Sequence, residues 1–178
     1  MKRQFTPARL DVRAFAEDGS LLSGQARVGD FARLAAEAKG EGQDRPLTWS
    51  AQGELRDPQH VNAQVWVHLK AQAVLPMICQ RCLEPADIPL VVDRSFRFVA
   101  DEETAAALDD EAEEDLLAIS RAFDLPGLVE DELLMEVPVV PRHDVCPTAV
   151  QLSVEDPDFE QPRPENPFAR LRVLKGGG

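Results

Sequence analysis

Two short motifs hold the side chains of this sequence that best suit metal chemistry. Cys79 and Cys82 are separated by two residues, and His143 and Cys146 repeat that spacing later in the chain. Three thiolates and one imidazole make a closed tetrahedral ligand set of the kind that binds structural zinc. The motifs therefore predict one structural zinc ion that joins two segments 61 residues apart, from Cys82 to His143.

The Cys79 and Cys82 pair is also compatible with two other interpretations. A thioredoxin-like dithiol begins a helix that follows a strand, whereas apolar alternation on both sides of this pair predicts a β-hairpin. Two thiols in a tight turn can also be purely structural, with His143 and Cys146 as unrelated loop residues. The sequence favours metal over redox chemistry, and the structural alternative stays open.

The elements that must position the thiols are the two clearest strands of the chain. Apolar residues alternate with polar ones over 61–75 and again over 88–98. Pro76 is expected to end the regular pairing of the first strand, and residues 79–85 are expected to form the tip of an antiparallel hairpin. His68 lies on the polar face of the first strand and is expected to be solvated.

The first quarter of the chain predicts three further elements. Residues 1–26 mix basic residues with short apolar pairs and predict an extended arm with one short strand. Asp30 is placed to cap a helix over 31–39, where apolar residues recur at helical spacing until two glycines end the pattern. Alternation over 47–55 predicts another strand.

Negative charge is concentrated in one part of the chain. The net charge is −13, and residues 99–136 hold fourteen acidic residues against one basic residue, Arg121. Nine of these acids fall in 101–115, which lacks apolar periodicity and predicts a mobile acidic loop. Such a surface repels phosphate backbones and attracts basic proteins, although it is equally typical of a solvated loop that keeps a protein soluble.

The rest of the chain completes an α+β fold. Residues 116–119 predict a short strand, and Asp124 is placed to cap a second main helix over 125–137. The expected architecture is an antiparallel, partly barrel-like sheet of four to six strands carrying two main helices. Residues 1–147 are expected to form this single domain, followed by a Pro-rich linker and a basic tail over 148–178.

Composition and motifs also indicate which classes of protein are excluded. No signal-peptide pattern and no long apolar segment is present, which predicts a cytoplasmic protein with reduced thiols and no membrane contact. Neither a Gly-x-Ser-x-Gly motif nor a phosphate-binding loop occurs, and Glu130, Asp131 and Glu132 are expected to form a solvated helix face. Since a closed metal site leaves no open coordination position, a metal-dependent nuclease is the weaker alternative to a non-enzymatic protein.

Several motifs, taken in order over residues 60–175, resemble the bacterial YceD family, known as large ribosomal RNA subunit accumulation proteins. No single motif is specific, but their combination is. Some relatives carry a second Cys-rich cluster after the helix, where this chain has His143 and Cys146. The motifs that carry the resemblance are Cys79-x-Arg81-Cys82-x-x-Pro85, Asp115-Leu116-Leu117, Val129-Glu130-Asp131-Glu132-Leu133, Val137-Pro138-Val139-Val140-Pro141-x-His143 and Asn166-Pro167-Phe168-Ala169-x-Leu171-x-x-Leu174-Lys175.

The resemblance implies a cytosolic, non-enzymatic role in the synthesis, processing or stability of 23S ribosomal RNA during large-subunit assembly. The implied partners are large-subunit rRNA or pre-ribosomal particles, contacted through basic proteins, with no DNA involved. The alternative is an acidic interaction module that holds a basic partner such as a ribosomal protein. The candidate partner or RNA contacts are Arg81, Pro85, Arg142, Phe168, Arg170, Arg172 and Lys175.

Overall fold

The computed structural model of the chain describes residues 3–59 and 63–149. Its elements belong to the compact unit Met1–Pro147 and form a five-stranded sheet accompanied by helices. The helices are α1 Val12–Glu17, α2 Ala32–Glu37, α3 Glu102–Leu108 and α4 Leu125–Met135. The strands are β1 Leu21–Arg27, β2 Pro46–Arg56, β3 Gln64–Ile78, β4 Pro85–Val99 and β5 Asp115–Ala118.

The sheet confirms the predicted α+β class. Its strands follow the chain order β1-β2-β3-β4-β5, so β1 and β5 form its edges and the sheet is curled without closing into a barrel. The first four strands pair antiparallel, whereas β5 pairs parallel with β4. This parallel pair was not predicted; it arises because the connection that contains α3 carries the chain back before β5 begins.

The core lies on one face of the sheet. Alternate residues of β3, from Val65 to Leu75, are buried there, as the period-two pattern predicted. Helix α1 approaches β2 closely at Gly53, where a Cβ atom would lie 2.6 Å from the carbonyl oxygen of Phe15. Glycine therefore permits this contact, since any larger residue would push α1 away from the sheet.

Helix α1 replaces part of the arm expected over 1–26. Asp11 caps it by accepting a hydrogen bond from the backbone N–H of Ala14 at 3.0 Å, and Val12 and Phe15 are fully buried. The expectation of extended chain was wrong here because a helix of six residues is stabilised chiefly by packing against the rest of the fold rather than by its own propensity. The single short strand expected in the same region is β1.

Helix α2 confirms the helix predicted over 31–39, but its predicted cap was wrong. The Asp30 carboxylate accepts instead from the backbone N–H of Arg27 at 2.8 Å, within the preceding turn. Phe31 occupies the cap position and supplies no side-chain hydrogen bond. The first amides of α2 therefore need acceptors from elsewhere in the fold.

The long hairpin of β3 and β4 is confirmed, but β3 continues beyond the predicted end at Pro76. It stays paired with β4 until Ile78 meets Pro85. The pairing of β3 with β2 ends earlier, where Leu47 meets Ala73. Beyond that point no strand among the described residues pairs with this edge of β3, so Pro76 can be accommodated there without an amide hydrogen.

The acidic segment over 101–115 contains helix α3, which corrects the expectation of an irregular loop. The Asp101 carboxylate accepts from the backbone N–H of Thr104 at 2.8 Å, and hydrogen bonds from the Thr104 side chain and then from this N–H lower the pKa of Asp101. Two acidic residues in the first turn interact favourably with the helix dipole, and Ala105 is buried. Local capping and alanine propensity thus outweigh the charge of the segment.

Two further expectations concern the helix over 125–137 and the environment of His68 on β3. The helix predicted over 125–137 is present, and the Asp124 carboxylate caps it by accepting from the backbone N–H of Gly127 at 3.2 Å. His68 is not merely solvated, since its Nδ1 lies 2.7 Å from Ser95 Oγ and its Nε2 lies 2.5 Å from a carboxylate oxygen of Glu54. Across the described residues, no helix is long and apolar enough to cross a membrane.

Candidate metal centre

The turn between β3 and β4 presents Cys79 and Cys82 to the same side. The backbone N–H of Cys79 donates to the carbonyl oxygen of Glu84 at 3.0 Å, and the N–H of Leu83 donates to the carbonyl of Cys79 at 2.9 Å. Leu83 has a φ of 61°, in the left-handed region, which lets the chain reverse within a few residues. The predicted hairpin tip therefore holds the two thiols in one tight loop.

The segment after α4 runs beside this hairpin tip. Pro138 and Pro141 prevent it from continuing the helix. The carbonyl oxygen of Pro141 accepts from the backbone N–H of Gln80 at 2.8 Å, which anchors the segment to the tip. Two residues later His143 enters the site, and Cys146 completes it.

The four predicted ligands converge, with one donor atom from each lying within 4.8 Å of the others. Cys79 Sγ lies 3.9 Å from Cys146 Sγ, and Cys82 Sγ lies 3.4 Å from His143 Nδ1. A tetrahedral zinc ion with bonds of about 2.3 Å to sulfur and about 2.0 Å to nitrogen separates two sulfurs by about 3.8 Å, and sulfur from nitrogen by about 3.5 Å. The donor set therefore fits a zinc ion in both chemistry and spacing.

The tautomer of His143 is suited to metal binding. Its Nε2 lies 2.9 Å from the carbonyl oxygen of Pro85, which can only accept a hydrogen bond, so Nε2 carries the proton. This leaves the lone pair of Nδ1 facing Cys82. A histidine ligand whose other ring nitrogen donates to a carbonyl is the usual arrangement around protein-bound metals.

Arg81 supports the site from the outside of the loop. Its Nε donates to Cys146 Sγ at 3.0 Å, and one terminal nitrogen donates to the carbonyl oxygens of His143 and Asp144 at 2.9 and 3.3 Å. The guanidinium thus orders the second ligand segment and places positive charge beside the Cys146 sulfur. The sequence indicated a different role for Arg81, contact with a partner or with RNA, and that role stays a prediction.

The pKa values of the two hairpin thiols are shifted in opposite directions. Burial opposes ionisation of Cys79, but backbone hydrogen bonds, first from Cys82 and then from His143, outweigh it and lower the pKa of Cys79 to about 5. Burial and the neighbouring sulfurs raise the pKa of Cys82 to about 11. The two shifts favour the thiolate form of Cys79 and the thiol form of Cys82, so zinc binding would release the proton of Cys82.

Of the other residues predicted to contact a partner or RNA, the structure describes Pro85 and Arg142. Pro85 lies against the site through its carbonyl oxygen, whereas the side chain of Arg142 is exposed. Their roles in partner binding stay predictions. Phe168, Arg170, Arg172 and Lys175 lie outside the described residues.

Of the three acidic residues on α4 that were expected to be solvated, Asp131 is exposed, but Glu130 and Glu132 are not. The side chains of Glu130 and Glu132 are each 12% exposed, and Glu130 lies 2.9 Å from a guanidinium nitrogen of Arg33. Glu132 lies 3.3 Å from Arg94 without hydrogen-bond geometry, and burial raises the pKa of Glu132. These acids therefore connect α4 to α2 and to the sheet.

The structure also forms a basic cavity that the sequence did not indicate. Arg3, Arg13 and Arg121 line a cavity of about 710 Å³, against two acidic residues, Asp11 and Glu17, in the same lining. Arg3 pairs with Glu17 at 3.7 Å, while within the described part of the chain Arg13 and Arg121 form no ion pair. The three arginines come from separate segments, so no local sequence pattern could have revealed the cluster.

Together these features define a class of small α+β protein in which a hairpin tip and a segment after a helix share a ligand cluster of three cysteines and one histidine. The family model described as "Large ribosomal RNA subunit accumulation protein YceD" matches residues 67–175, which include all four ligands. The chain belongs to this family, as its motifs indicated.

A curated relative supports the same family. The Haemophilus influenzae protein named "Large ribosomal RNA subunit accumulation protein YceD" is 34% identical over 123 residues, which cover 67% of this chain and 68% of the relative. No solved structure matches the chain. The name of this relative links it to the accumulation of large-subunit ribosomal RNA.

Proposed function

We propose that this protein is a cytoplasmic, non-enzymatic ribosome-biogenesis factor that acts in the synthesis, processing or stability of 23S ribosomal RNA. Membership of the YceD family is the observation that carries the proposal. Its partners in this role are pre-ribosomal particles of the large subunit. Residues 1–147 act as one domain, and residues 148–178 serve as a linker and basic tail.

The metal centre has a structural role in this proposal. Cys79, Cys82, His143 and Cys146 would hold one zinc ion, which would join the hairpin tip to the segment after α4. Four protein ligands leave no coordination position for a water molecule or substrate. This closed ligand set supports a scaffold and disfavours a metal-dependent nuclease.

The proposed mechanism acts chiefly through proteins. The chain carries a net charge of −13, so its overall field repels an RNA backbone and attracts basic proteins. A basic partner would neutralise this charge and bring the protein to the assembling subunit. Any direct RNA contact requires a local basic surface such as the cavity lined by Arg3, Arg13 and Arg121.

Deletion of the gene from its own bacterium tests the proposed function. We expect a lower ratio of 23S to 16S ribosomal RNA and fewer large subunits in sucrose gradients, with both restored by the wild-type gene. A strain with normal ratios and normal gradients at several growth temperatures would contradict the proposal.

A purification from cells with and without ribonuclease tests the mechanism. Because we propose contact through proteins, ribosomal proteins should remain bound after the RNA is digested. Loss of every ribosomal partner after digestion would refute the protein-mediated mechanism. Degradation of rRNA precursors by the purified wild-type protein, with no degradation by the Cys79→Ser variant, would instead indicate an enzyme.

A further inference from the structure

Exposed apolar side chains gather at the end of the molecule that carries the metal centre. Nine large hydrophobic residues are exposed in the described part of the chain, and six of them lie near this end. Val139, the most exposed of them, is 99% accessible. A concentration of apolar surface is typical of protein contact sites. The six residues are Ile78, Leu83, Met135, Val139, Val140 and Val145.

A groove runs through this apolar surface. It consists of two adjoining cavities of about 800 and 530 Å³, which share Met77, Gln80 and Pro141 in their walls. The larger cavity follows the segment that contains Val139 and Val140, and the smaller one reaches the end of α2. Each volume suits several apolar side chains of a bound peptide. We call this surface the tip groove.

The charge around the tip groove indicates the chemistry of its occupant. Glu37 and Glu41 line it together with one basic residue, Lys39. Glu136 and Asp144 are exposed beside the apolar residues of the same end, together with the basic Arg142, so acidic residues outnumber basic ones around the groove. Because the net charge of the chain is also strongly negative, a positively charged partner is attracted and an acidic one is repelled.

We propose that the tip groove binds an apolar segment flanked by basic residues, contributed by an unassembled protein of the large ribosomal subunit. The class of partner rests on the proposed function, whereas the location and chemistry of the surface rest on the structure. The apolar side chains of the segment fill the groove, and its basic residues face Glu37 and Glu41. The metal centre would serve this surface by fixing the Pro-Val-Val-Pro wall against the hairpin tip.

Two matched substitutions test the tip groove. Val140 in the groove wall is 54% exposed, and Val91 on β4 is 55% exposed and outside the groove. Val140→Glu and Val91→Glu therefore introduce the same charge at equal exposure. Val139→Glu repeats the test at a site too exposed to affect the core.

The probe is each large-subunit protein of the same bacterium, purified separately and added without RNA to the full-length, metal-loaded chain. We expect at least one to bind, with affinity reduced about tenfold or more by Val140→Glu and by Val139→Glu, and unchanged by Val91→Glu. Raising the salt concentration should weaken the wild-type complex. A photo-crosslinker at position 139 should capture a basic, apolar segment of that protein.

The groove proposal is overturned if no large-subunit protein binds, if both valine variants bind as the wild type does, or if the crosslink joins two copies of this chain. The proposed function is judged separately by 23S rRNA levels. A deletion strain with low 23S rRNA that is fully rescued by Val140→Glu would reject the groove while leaving the proposed function intact.

Discussion

Glu130 on α4 caps helix α2 through space. Its carboxylate accepts from the backbone N–H groups of Arg33 and Leu34 at 2.8 and 3.2 Å, and it also binds the Arg33 side chain. Because Phe31 offers no cap of its own, one carboxylate from a distant helix satisfies the first amides of α2. The contact joins the first half of the chain to the helix that precedes the metal ligands.

Glu130→Ala should therefore destabilise the domain by about 1–2 kcal/mol, because it leaves two backbone amides and the Nε of Arg33 without their acceptor. The matched control is Asp131→Ala, which removes an exposed ion pair with the same arginine and should cost less than about 0.5 kcal/mol. Urea unfolding of both variants measures the difference. Equal losses of stability would show that Glu130 acts as an ordinary surface charge.

The metal content of the purified protein provides a second prediction. Protein prepared without chelator should contain one zinc ion per chain by elemental analysis, and removal of the metal should lower the melting temperature. Cys79→Ser should abolish stoichiometric binding because Cys79 is buried and faces Cys146 across the site. A zinc content below about a tenth of an equivalent in the wild type would eliminate the zinc site.

Substitution of Arg81 tests whether its hydrogen bonds to the ligand segment strengthen zinc binding. Arg81→Ala removes the donors to Cys146 Sγ and to two carbonyl oxygens, so zinc affinity should fall about 10- to 100-fold. The neighbouring Arg142 is exposed, and Arg142→Ala should leave the affinity unchanged. Competition with a zinc-binding dye measures both variants. Equal effects would indicate that the charge of the segment matters rather than the contacts of Arg81.

Two glutamates should give opposite pH dependences. Burial raises the pKa of Glu132 above 4.5, so the native state binds more protons than the unfolded state in this range, and the contribution of Glu132 to stability falls as pH rises. Hydrogen bonds from Arg56 and then His68 lower the pKa of Glu54, so its contribution is present above pH 4.5 and is lost as pH falls.

Unfolding free energies measured from pH 4 to pH 7 check both signs. Relative to wild type, the Glu132→Gln variant should become more stable as pH rises, whereas the Glu54→Gln variant should become less stable. Parallel profiles for the two variants would contradict the assignment of these shifts to burial and to hydrogen bonding.

The sequence predicted what depends on local pattern. The alternation around Cys79 and Cys82 predicts a hairpin, and the spacing of His143 and Cys146 repeats that of the thiols. Both the hairpin tip and the set of four clustered residues could therefore be predicted from the sequence. The resemblance to the YceD family depended on the same motifs and was also confirmed.

What escaped prediction depends on contacts between distant segments. The cap that Glu130 provides for α2 joins residues 97 positions apart, and no local motif records it. Helix α1 depends on the burial of Val12 and Phe15 in the core, and the parallel direction of β5 depends on how α3 crosses between strands. The tip groove likewise combines α2, the hairpin and the segment after α4.

The separation of the two ligand pairs along the chain also has a consequence for synthesis. Cys82, the later of the two hairpin thiols, is synthesised 64 residues before Cys146, an interval of several seconds at about 5–20 residues per second. During that interval the hairpin tip has two thiols and no partners for them. The ligand cluster therefore closes late, after every strand and helix of the domain has been synthesised.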